Sequence, residues 1–98
     1  MREYEVTIIV QPQLEEEARK ELIAQVSGWL VPDADDNSKP VEKHWGSRQL
    51  AYPIRKFNDG YYVMYEAKID PTRITDIERN MQYSEDILRY LVVRKDEG

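Results

Sequence analysis

An α+β fold, built as a four-stranded antiparallel sheet with two helices on one face, follows from three observations. Three segments sort their residues onto two faces with the two-residue period of a strand, a fourth carries the β-favouring Trp45, Leu50, Tyr52 and Ile54, and two others repeat apolar residues every three or four positions as a helix does. Their order along the chain is strand, helix, strand, strand, helix, strand. At 98 residues the chain is one domain with a modest core, expected over 1–94, with 95–98 as a short flexible tail.

Residues 2–10 place Tyr4, Val6, Ile8 and Val10 on one face and Glu3, Glu5, Thr7 and Ile9 on the other, so they read as the first strand. Gln11-Pro12-Gln13 breaks it. A helical stripe then runs through Leu14, Ala18, Leu22, Val26 and either Trp29 or Leu30, with Glu15, Glu16 and Glu17 in the first turn, where negative charge suits the helix dipole. Residues 32–40 are polar, bounded by prolines and aperiodic, and read as a mobile loop. Asp33, Asp35 and Asn37 imitate the start of a calcium loop, but Ser38 stands where glycine is needed and His44 where glutamate is needed.

Residues 41–54 form the second strand. Asn58-Asp59-Gly60 reads as the turn into the third, residues 61–69, where Tyr61, Val63, Tyr65, Ala67 and Ile69 alternate with Tyr62, Met64, Glu66 and Lys68. Asp70-Pro71 supplies an N-cap and a first-turn proline for a helix with the stripe Ile74, Ile77 and Met81. The last strand, residues 87–93, sets Leu88, Tyr90 and Val92 against Arg89, Leu91 and Val93. This order is the ferredoxin-like split βαβ arrangement, with strands expected in the order four, one, three, two. The helices then leave one sheet surface uncovered, carrying Ile9, Tyr62, Met64, Leu91 and Val93, and a surface that apolar suits a partner.

Charge is distributed unevenly. The net charge is −5, yet residues 43–58 contain no acid and carry +4 from Lys43, Arg48, Arg55 and Lys56, which leaves −9 for the rest. Between these cations lie Trp45, Leu50, Tyr52 and Ile54, while Pro53 cannot donate to a sheet ladder and belongs on an edge. A basic edge strand with aromatics suits phosphate and ribose; equally, charges on an edge block strand-to-strand aggregation. The acidic balance excludes a general nucleic-acid binder, so any such role is local and shared with a more basic partner.

The run Gly46-x-Arg48-Gln49-Leu50-Ala51-Tyr52-Pro53-Ile54-x-Lys56 resembles the signature of the bacterial small-subunit ribosomal protein six family. The likeness extends to Met1-Arg2-x-Tyr4-Glu5-Val6, Gln11-Pro12-x-Leu14, Gly60-Tyr61-Tyr62 and Val92-Val93, nearly the whole chain; the loop at 32–40 departs from it. The resemblance implies a structural component of the small ribosomal subunit that binds the central domain of small-subunit ribosomal RNA together with ribosomal protein eighteen. Motif matching carries RNA proximity onto Arg48, Tyr52 and Lys56, and placement adds Arg2, Tyr4 and Arg89. Tyr62, Met64, Leu91 and Val93 are the expected partner-binding residues.

Catalysis lacks an inventory. There is no cysteine, one histidine, and no serine with an evident base and orienting acid; His44 reads as an edge-strand surface residue. The acylphosphatase-like enzymes of this topology place an arginine in a phosphate loop after the first strand, where this chain has Gln11-Pro12-Gln13-Leu14. Tyr62 could stack a base as in RNA-recognition domains, but their glycine-containing octapeptide is absent, and protein contact is the better reading. A dimerisation module using the open face is the other rival. No cofactor, metal or small-molecule substrate is expected. With neither an apolar leader nor a run approaching a membrane span, the protein is expected to be soluble and cytoplasmic, and the resemblance implies that it is ribosome-bound.

Overall fold

The computed structural model describes residues 2–35 and 38–95. β1 spans Arg2–Val10, α1 Glu16–Leu30, β2 Val41–Ile54 and β3 Phe57–Ile69; a 3-10 turn over Pro71–Arg73 leads into α2, Ile74–Tyr83, and β4 covers Ile87–Arg94. The sheet order is β2-β3-β1-β4 with every neighbouring pair antiparallel, the expected order read from the opposite edge.

Strand alternation sorts the layers. Tyr4, Val6, Ile8 and Val10 of β1 and Val63, Tyr65 and Ile69 of β3 join Leu22, Ile23, Val26 and Leu30 of α1 and Ile77 and Met81 of α2 in one buried cluster. Both helices therefore pack on the same sheet face. The Tyr65 hydroxyl donates to the Ile23 carbonyl at 2.9 Å, tying β3 to α1 inside the core. Burial pushes that phenol far above its usual range, and the Glu42 carboxylate adds to the effect.

The helix ends are satisfied differently. Asp70 accepts the backbone N–H and the hydroxyl of Thr72, at 3.0 and 2.8 Å, and these bonds hold its carboxyl below the usual range. The last turn of α1 carries no basic residue. Its carbonyls are met from across the fold: Arg73 donates to Leu30 at 3.1 Å and to Trp29 at 2.6 Å.

The β2–β3 connection differs from the sequence expectation. The turn falls at Arg55-Lys56, both with positive φ (49° and 71°), between the paired Ile54 and Phe57, whereas Asn58, Asp59 and Gly60 lie within β3. Gly60 is there for close approach, since a Cβ would collide with the Ile9 methyl and sit 3.3 Å from the Val10 carbonyl oxygen. Two non-glycine residues in the left-handed region cost roughly 1–2 kcal/mol each, so contacts elsewhere must hold this turn. Gly46 (φ 81°) sits at a second irregularity, where β2 slips register between His44 and Gly46.

Two expected mobile segments are partly described. Asp35 accepts the Ser38 N–H and hydroxyl at 3.0 Å each, a local turn in the loop; Asn37 lies outside the described residues. Lys95, placed in the expected tail, is held by its N–H to the Glu3 carbonyl at 2.8 Å and by its ammonium to Glu66 at 2.9 Å. The remainder of that tail, 96–98, also lies outside the described residues.

Candidate nucleic-acid interface

The basic run forms an arm rather than a plain edge strand. Gln49 pairs with Asp59 and Ile54 with Phe57, so Leu50, Ala51, Tyr52 and Pro53 stand opposite Asn58 alone. The proline thus sits in a wide bulge, where its missing donor costs no ladder bond. Leu50 turns inward and is buried, while Ala51, Tyr52 and Pro53 are exposed.

The arm reaches across the sheet end to the strand on the opposite edge. Arg55 Nη1 donates to the Glu85 carbonyl at 2.9 Å. Arg89 of β4 donates to the Tyr52 hydroxyl, with its guanidinium 5.6 Å from the centre of the Tyr52 ring. Arg48 lies nearer the arm's root, 5.4 Å from the centre of the Trp45 ring. Trp45 in turn stacks on Tyr62 of the uncovered face, with centroids 6.5 Å apart and planes within 14°. Two stacked aromatics, Tyr62 and Trp45, are therefore followed by Arg48 and then by the Tyr52–Arg89 pair on the way to the arm.

The uncovered face divides in two. At one end Glu66 accepts from Lys43 at 2.5 Å and from Lys95 at 2.9 Å, and those two ammonium groups draw its carboxyl down to about 2. Lys43, one cation of the basic run, is thereby neutralised within the sheet. At the other end Thr7, Ile9, Tyr62, Arg89, Tyr90 and Leu91 line a shallow groove of 320 Å³. Leu91 and Val93 are 61% and 47% exposed.

The predicted residues do not all converge. Arg48, Tyr52, Lys56 and Arg89 share the arm and the end of the face it crosses. Arg2 pairs with Ile69 at the far end of β1, about 27 Å from Val10 at a strand's rise per residue. Tyr4 is corrected outright: at 7% exposure it belongs to the core cluster, because it shares the helix-facing parity of Val6 and Ile8. Met64 has the open-face parity but is 8% exposed, being flanked across the strands by Thr7 and Lys43, and so offers a partner little surface. Trp45 and Arg55 were missed. The signal for Trp45 was its place among the cations, whereas nothing local marks Arg55 as reaching a residue 30 positions away.

His44 has both ring nitrogens engaged, Nδ1 with the Tyr61 hydroxyl at 3.0 Å and Nε2 with Glu42 at 3.1 Å, on the exposed edge strand. Among the described residues no group of three His, Cys, Asp or Glu is placed to hold a metal ion. None of the described helices is long and apolar enough to cross a membrane.

Comparison with known proteins bears on the family and the fold. The profile of the family described as "Ribosomal protein S6" matches residues 3–94. A curated relative, "Small ribosomal subunit protein bS6" of Heliobacterium modesticaldum, is 43% identical over 97 residues covering 99% of each chain. The crystal structure of 30S ribosomal protein S6 from Thermotoga maritima superposes with a TM-score of 0.84 at 27% identity, over 96% of this chain and 87% of that one. With the signature around Arg48 and Lys56, the strand order and the sequence matches in accord, the chain belongs to the ribosomal protein S6 family, non-enzymatic structural components of the small subunit of the cytoplasmic ribosome.

Proposed function

We propose that this protein binds the central domain of small-subunit ribosomal RNA together with ribosomal protein eighteen. The observation that carries the reading is the convergence of Arg48, Tyr52, Lys56 and Arg89 on one arm and the sheet end it crosses, in a chain whose net charge is otherwise strongly negative. Cations there meet phosphate and the exposed Tyr52 ring meets ribose or a base, while Arg2 is an outlying phosphate contact. Tyr62, Leu91 and Val93 receive the partner protein. The Tyr62 ring already lies against Trp45, which favours a protein contact over base stacking. A partner richer in cations supplies the charge this chain lacks, so RNA affinity belongs to the pair.

The test is a salt titration of RNA binding by the pair, comparing wild type with Arg48→Ala/Lys56→Ala. Each lost phosphate contact should flatten the logarithmic salt slope by roughly 0.7–0.9. Parallel slopes with equal affinities would return the basic run to a role in guarding a sheet edge.

A further inference from the structure

Arg55 counts among the four cations of the basic run, yet its guanidinium is bonded to the Glu85 carbonyl, just beyond the end of α2. We propose that Arg55 is a positioning residue, a latch that fixes the β2–β3 arm against the start of β4 so that Tyr52 and Lys56 are presented to RNA in one arrangement. The proposal rests on the RNA reading above and deepens it.

Three features of the arm require such a latch. Beyond the Gln49–Asp59 pair its two strands are joined in register only at Ile54 and Phe57, so the ladder leaves residues 50–53 unsupported. Its turn places two long side chains, on Arg55 and Lys56, in the left-handed region with no glycine or asparagine to favour it. And its base lies on one edge of the sheet, while both side-chain bonds that anchor it, from Arg55 to Glu85 and from Arg89 to Tyr52, end at the opposite edge. An arm spanning the sheet end through two arginines is ordered by them. The Arg89–Tyr52 bond joins two groups that also face RNA, and binding can rearrange it. The Arg55 bond joins a side chain to a backbone carbonyl and persists.

Position and charge make different predictions for the same residue. If Arg55 orders the arm, Arg55→Ala should speed amide hydrogen exchange across 50–59 in the free protein. It should also weaken RNA binding by the pair roughly fivefold to tenfold, the loss expected when the arm is competent about a fifth to a tenth of the time. The salt slope should stay at the wild-type value, because no phosphate contact is lost. Lys56→Ala is the comparison: exchange unchanged, affinity lower, slope reduced by roughly 0.7–0.9. Wild-type exchange rates in Arg55→Ala overturn the latch. Faster exchange at unchanged RNA affinity overturns its positioning role, and a slope reduced as in Lys56→Ala makes Arg55 a direct contact. Should the wild-type pair itself show no salt-dependent RNA binding, the RNA reading fails, and the exchange measurement still decides whether the latch exists.

Discussion

Arg89 of β4 donates a hydrogen bond to the hydroxyl of Tyr52, a residue of β2, although the two strands are opposite edges of the sheet. Only an arm that leaves the plane of the sheet can bring them together, and the bulge at 50–53 supplies it. Both residues are exposed, so the bond adds little to stability. Tyr52→Phe should lower stability by less than about 1 kcal/mol in urea unfolding. Tyr52→Ala should match Tyr52→Phe in stability within about 0.5 kcal/mol, since an exposed ring packs little, but should weaken RNA binding by the pair more. Equal RNA affinities for the two variants would show that the ring itself touches no RNA.

The open face carries the second prediction. Leu91→Glu and Tyr62→Glu should weaken association with ribosomal protein eighteen while the melting temperature changes little, as both side chains lie outside the helix-covered core. Met64→Glu should instead destabilise the fold itself, because it would bury a carboxylate in a site 8% exposed. Calorimetric titration alongside thermal melts separates the two effects. Undiminished partner affinity in Leu91→Glu would move the contact elsewhere.

A third prediction concerns acid. Lys43 first and Lys95 second lower the Glu66 carboxyl from an ordinary 4.5 to about 2 in the folded protein. A carboxyl depressed by folding contributes stability that is complete above its unfolded value and is lost as pH falls through its folded one. The Lys43–Glu66–Lys95 contribution should therefore be full above pH 4.5 and disappear towards pH 2. Glu66→Gln should remove that part of the pH dependence, so the wild-type and variant urea midpoints converge in acid and diverge above pH 4.5. Added salt should narrow the gap, as the network is solvent-exposed. Midpoints differing equally at every pH would mean that Glu66 acts through packing.

Much of this protein was legible in its sequence because strands and helices announce themselves by period. Tyr4 to Val10 and Tyr90 and Val92 took their faces from alternation alone, and Asp70-Pro71 marked a helix start that the structure builds with the capping bonds such residues make. Alternation failed at Leu88, because the β1–β4 register shifts between Ile9 and Val10 and puts Ile87 in the core cluster instead. Parity groups Tyr4 with Val6 and Ile8 in the core, although placement had added it to the RNA set. The basic run and the open face were likewise readable, since charge and alternation are local properties. Tertiary structure decided everything that depends on distance. Gly60 looked like a turn residue until Ile9 approached it too closely for a Cβ. Arg73 became the cap of a helix whose own last turn holds no cation, and Lys43 and Arg55, alike in sequence to Arg48 and Lys56, were drawn to Glu66 and to the Glu85 carbonyl. A cation's partner is chosen by what the fold brings within about 3–4 Å of it, and no period or composition encodes that.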